Sequence, residues 1–122
     1  MDYSIKNDLF VLGTCRGAQV INCFYNGKLE IINNLSHMAK LHTIKLENKK
    51  IEVNSYHRYK INESKLPPEL EILGICESDN SIEYFKIKNK SIFGIMWHPE
   101  RKKLIQNKEF NKELIKKIFK IK

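Results

Sequence analysis

The sequence has no long apolar run, little arginine and only three cysteines, and each shortage removes a class of protein. No stretch approaches the roughly 18 apolar residues that a membrane-spanning helix needs. The opening residues Met1 to Lys6 carry no apolar core of a secretion signal. A soluble, cytoplasmic protein with no membrane partner is therefore expected. Arginine supplies only 3 of the 22 basic residues behind the net charge of +8. Nucleic-acid sites favour arginine for its planar, bidentate fork, and the lysines here are scattered outside the C-terminal tail. The charge reads as a solvated lysine surface, with no nucleic acid as partner. Three cysteines, an odd number without metal-type pair spacing, give neither a disulfide framework nor a metal site. Cys23 and Cys76 sit among apolar neighbours and are expected to be buried small hydrophobes. With five glycines, three prolines, no repeat and no low-complexity stretch, the 122 residues contain no recognisable linker and read as one domain.

Leu9-Phe10-Val11-Leu12 is a short continuous apolar run, as in a strand buried on both faces of a parallel sheet. From Gly17 the pattern becomes helical, with Ala18, Ile21, Cys23, Phe24 and Tyr25 on an apolar side, and it should stop near Asn26-Gly27. The middle of the chain predicts short strands at 28–32, 42–46 and 50–54, with a turn at Glu47-Asn48-Lys49. Further strands are expected at 71–77, 82–88 and 91–97, the last two forming a hairpin through Asn89-Lys90. The tail, Lys108 to Lys122, places Phe110, Leu114, Ile115, Ile118 and Phe119 on one helical face and lysines on the other. Such a helix can bind a membrane surface, but packing against a sheet is the ordinary use of an apolar stripe.

Gly13-Thr14-Cys15-Arg16-Gly17 joins the first strand to the first helix, and its residue types suit a nucleophile. A thiol attacks well only as the thiolate, and a helix N-terminus favours that form through its partial positive charge and free amides. The glycines would allow a sharp turn and close approach of helix to strand. The amide of Arg16, directly after the cysteine, can face a developing oxyanion. The arrangement is the cysteine counterpart of the G-x-S-x-G elbow. Alone, such a pentapeptide also fits an ordinary structural turn.

Trp97-His98-Pro99-Glu100 supplies the second element. His98 can serve as base and acid toward Cys15. Glu100 lies two residues on, so in an extended segment its carboxylate falls on the same side and can hold one imidazole tautomer. Pro99 stiffens the connection between them.

The stretch from Gly13 to Asn22 resembles the nucleophile motif of class I glutamine amidotransferases, and Trp97 to Glu100 resembles their histidine–glutamate motif. Val53-Asn54-Ser55-Tyr56-His57, between them, is similar to a segment of the γ-glutamyl hydrolase branch. That branch includes hydrolases of γ-glutamyl-γ-aminobutyrate and of a γ-glutamyl-linked cytidine diphosphate amidate. The resemblance implies an α/β, flavodoxin-like fold with a mixed sheet and flanking helices. It covers the C-terminal portion of that fold. Family members carry further parallel strands and a glycine-rich loop with a second oxyanion amide ahead of the elbow, so residues 1–122 are expected to be one N-terminally truncated domain. A separate chain supplying the rest, a misassigned start and a truncated remnant all stay open.

The resemblance further implies a Cys15–His98–Glu100 triad that forms a γ-glutamyl thioester and releases glutamate and an amine. Arg16 and Gln19 would lie on the substrate side, together with Ser55, Tyr56 and His57. No metal or other cofactor is implied. The partners are a small γ-glutamyl substrate and, in one alternative, a synthetase that receives ammonia. An inactive binding subunit is the other alternative.

Overall fold

A computed structural model describes residues 9–31, 38–47, 49–56, 59–99 and 108–119. Eight strands and two α-helices are present there, with one short 3-10 turn at Glu63–Lys65. They are β1 (Val11–Thr14), α1 (Arg16–Phe24), β2 (Leu29–Ile31), β3 (Met38–Lys45), β4 (Lys50–Tyr56), β5 (Tyr59–Ile61), β6 (Leu70–Cys76), β7 (Ile82–Ile87), β8 (Ile92–Ile95) and α2 (Lys108–Phe119). Six strands form one mixed sheet in the order β1-β8-β7-β6-β3-β4, and β2 pairs with β5 in a small antiparallel ribbon. This is the α/β fold that the motifs imply.

The expected hairpin forms, with β7 antiparallel to β8 and Phe85 opposite Gly94. Asn89 adopts φ 62° in the connecting turn, a left-handed conformation that asparagine tolerates. β1 then adds in parallel to the other side of β8, with Gly13 opposite Gly94 and Thr14 opposite Ile95. Alternation along the strands divides the core between two faces. Phe85, Ile87 and Ile92 pack with Ala18 and Ile21 of α1 on one face. Tyr84, Ile95 and Trp97 pack with Leu114 and Ile118 of α2 on the other. The C-terminal helix therefore buries its apolar stripe on the sheet.

Several boundaries differ from the pattern reading. The first strand is Val11–Thr14 rather than 9–12, because its ladder begins where the Val11 amide bonds the Ser91 carbonyl at 2.9 Å. Leu9 and Phe10 lie before that ladder and are 42% and 39% exposed. β1 is an edge of the described sheet, and Val11 and Leu12 are only partly buried, so this strand is not sandwiched. The sequence gives no sign of β5, since three residues are too few to show a period and their partner β2 lies 30 positions earlier. Cys76 is fully buried as expected, whereas Cys23 is exposed. α1 turns Ala18, Ile21 and Asn22 inward. Positions i, i+3 and i+4 share one face, and Cys23 falls outside it.

The β3–β4 hairpin has a particular placement. β3 pairs with β6 only through Ile44 and Lys45, while its pairing with β4 continues to Met38 opposite Tyr56. Much of the hairpin thus runs beyond the shared edge. Its buried Ile44, Ile51 and Val53 curl over to meet Tyr84, Ile95 and Trp97. Among the described residues no helix is long and apolar enough to cross a membrane.

Candidate active site

Cys15 is the single residue between β1 and α1. Its backbone has φ 51° and ψ −101°, a conformation that is sparsely populated for any residue with a Cβ. Register holds it there from both sides. The Cys15 amide donates to the Ile95 carbonyl at 2.7 Å, extending the parallel ladder by one rung, and the Cys15 carbonyl accepts from the Gln19 amide at 3.1 Å as the first bond of the helix. The strain falls on the cysteine itself, since no glycine among the described residues has a positive φ.

The two glycines flanking the elbow differ. A Cβ on Gly13 would lie 2.6 Å from the carbonyl carbon of Gly17 and 2.7 Å from Ile21 Cδ1, whereas one on Gly17 would meet nothing within 4 Å. Gly13 alone lets strand and helix touch. Arg16 is the first residue of α1 and is exposed. Its amide belongs to the opening turn, where no preceding helical carbonyl exists to accept it.

His98 follows β8 by three residues and is partly buried. The strand expected to reach Trp97 ends at Ile95, where the β1 ladder ends as well. Cys15 and His98 therefore leave adjacent parallel strands at their carboxyl ends, the usual location of sites in open α/β sheets. Trp97 is fully buried. Its indole N–H donates to Asn111 Oδ1 of α2 at 2.8 Å, and its ring meets Tyr84 edge-on at 6.3 Å. Burial pushes the Tyr84 phenol above its ordinary pKa of 10.0.

Gln19 Nε2 donates to the Tyr59 carbonyl at 3.1 Å, tying the second turn of α1 to the start of β5. Ser55 is fully buried on β4. Tyr56 ends that strand. Glu100 and His57 lie outside the described residues. No group of three His, Cys, Asp or Glu side chains suited to a metal occurs among the described residues.

The family model for class I glutamine amidotransferases matches residues 1–119. The chain belongs to this family. It is 36% identical over 113 residues to the γ-glutamyl-CDP-amidate hydrolase of Campylobacter jejuni subsp. jejuni serotype O:2, an alignment covering 93% of this chain and 54% of that protein. It is 28% identical over 129 residues to a glutamine-hydrolysing GMP synthase subunit of Methanocaldococcus jannaschii, covering 99% of this chain and 64% of the relative. A crystal structure assigned to a GMP synthase subunit of Thermoplasma acidophilum superposes with a TM-score of 0.80 at 17% identity, over 98% of this chain and 60% of the other. The fold is thus that of a class I glutamine amidotransferase, and the chain spans little more than half the length of these relatives.

Within this amidotransferase chain, Asn54 stands in the segment singled out by resemblance, but its contact with His98 escapes a pattern reading. Asn54 is 1% exposed. Its Oδ1 accepts from the His98 amide and its Nδ2 donates to the His98 carbonyl, both at 2.7 Å. The available signal is an asparagine inside a strand, a residue type depleted there. Asn22, the last residue of the motif-like stretch, lies on the inward face of α1. It is fully buried and donates to the Lys28 carbonyl at 3.1 Å. A Cβ on Gly27 would strike its amide.

Proposed function

We propose that the chain hydrolyses a γ-glutamyl amide with Cys15 as nucleophile. The observation carrying this reading is the strained backbone of Cys15 at the N-terminus of α1, beside the strand that leads into His98. Homology to a γ-glutamyl-CDP-amidate hydrolase supports the substrate class.

In this reading the Cys15 thiolate adds to the γ-carbonyl carbon, and the Arg16 amide faces the oxyanion. The C–N bond breaks as the His98 imidazolium gives its proton to the leaving nitrogen, which departs as an amine and leaves a γ-glutamyl thioester. His98 then takes a proton from water, whose oxygen adds to the thioester. The C–S bond breaks, and glutamate leaves. Glu100 holds the His98 ring in the required tautomer. Gln19 and the segment Ser55 to His57 form the substrate side. The activity is that of a cytoplasmic enzyme using no cofactor.

Glutamate release should be measured from γ-glutamyl-CDP-amidate, γ-glutamyl-γ-aminobutyrate and glutamine, with intact-mass detection of the thioester. A γ-glutamyl amide should acylate Cys15, and Cys15→Ala should lower turnover at least about 10³-fold. No acylation by any of the three compounds would refute the proposal. The relationship to a glutamine-hydrolysing GMP synthase subunit favours a second reading, a glutaminase that passes ammonia to a synthetase. Hydrolysis of glutamine alone, rising sharply with an added synthetase, would select it.

A further inference from the structure

We propose that Asn54 is a positioning residue for His98, setting the imidazole beside Cys15 by pairing with both main-chain polar groups of the histidine. The inference rests on the reading of His98 as the base toward Cys15.

β8 stops at Ile95, so His98 has no rung of the β8 ladder to fix its backbone. Asn54 replaces one. A carboxamide presents an acceptor and a donor side by side, and here Oδ1 takes the His98 N–H while Nδ2 reaches the His98 C=O. This is the two-bond exchange of a hydrogen-bonded pair in an antiparallel ladder. With N–H and C=O of one residue directed to the same partner, its Cα–Cβ bond must stand away from them, which fixes the point from which the ring reaches out. Pro99 restricts the same residue from the other side, because a residue before proline is held in extended conformations.

The burial pattern of β4 agrees. Glu52 and Asn54 share one face of the strand, and Ile51, Val53 and Ser55 share the other. Glu52 is exposed and Asn54 is not. The chain carrying His98 crosses the strand at Asn54, 44 positions away in sequence. Only an amide of this length satisfies both bonds. Aspartate has no donor for the carbonyl unless protonated, leucine has neither group, and glutamine is one methylene too long.

The test compares the full chain with Asn54→Ala, the near-isosteric Asn54→Asp, and His98→Gln. Iodoacetamide labelling of Cys15 is followed by peptide mass as a function of pH, and each variant is checked for cooperative unfolding. With the imidazole displaced, the thiolate loses its partner. Labelling at pH 6 should therefore fall about tenfold in both Asn54 variants, toward the rate in His98→Gln, and all four proteins should converge above about pH 9, where the thiol ionises unaided. For hydrolysis, kcat should fall about tenfold to a hundredfold with KM nearly unchanged, the cost of a reacting group held slightly out of place. A purely structural role would lower the unfolding midpoint and leave the labelling profile as in the native chain. Folded Asn54 variants with the native profile would overturn this inference alone, provided His98→Gln shifts it. A native profile in His98→Gln would overturn the thiol–imidazole reading and this inference with it. Loss of the fold in both Asn54 variants would assign the residue to stability and also overturn the proposal.

Discussion

Cys15 and His98 leave neighbouring parallel strands at the same end of the sheet, yet they are held by different means. The cysteine is held mainly by its own stretch of chain. β1, the elbow and α1 follow one another from Val11 to Phe24, and strand and helix close on each other through Gly13. A distant carbonyl, that of Ile95, anchors its amide in the backbone ladder. The histidine is held from far away. Asn54 of β4 pairs with its backbone, and Asn111 of α2 fixes the tryptophan before it. A cysteine that must sit in a strained conformation gains from a short, stiff connection on both sides. A histidine beyond the end of a strand has no such frame, and two asparagines from separate elements supply one.

This contrast can be broken or sharpened by substitution. The largest effect is expected at the elbow. Gly13→Ala forces its new methyl against the Gly17 backbone, which cannot rotate away, and should cost about 3 kcal/mol. Urea denaturation measures the loss. A cost near zero would mean that strand and helix are free to separate and that the elbow is not the stiff unit described. Next comes the distant support. Asn111→Leu leaves the buried Trp97 indole N–H without its acceptor and should cost about 2 kcal/mol. Hydrogen exchange should then show protection lost around residues 96–98 and kept in α1. Loss spreading into α1 would erase the distinction between the two regions. The smallest effect has the opposite sign. Gly17→Ala meets open space at a position without positive φ and should stabilise the chain by about 0.5 kcal/mol. Destabilisation there would place both glycines in the same role.

Pattern reading locates the elbow because the signal is contiguous: an apolar run, a glycine, the cysteine and a helical period occupy adjacent positions. The β7–β8 hairpin is readable for the same reason, since Asn89-Lys90 joins two strands that pair with each other. The exposure of Cys23 is not, since the six apolar residues between Gly17 and Asn26 outnumber what one helical face can bury. Neither is the start of β1. Leu9 and Phe10 match the strand composition, but the rungs offered by β8 begin at Val11.

Local order in the chain thus settled that a cysteine stands on a strand-to-helix turn and that a histidine follows a later strand, because those features need only near neighbours. Tertiary structure decided that Cys15 itself bears the positive φ, that Gly13 rather than Gly17 admits the helix, and that Asn54 grips His98. Each of these depends on which strands lie side by side and on where the β3–β4 hairpin curls. Residues 54 and 98 come within 2.7 Å through the order β8, β7, β6, β3 and β4 of one sheet.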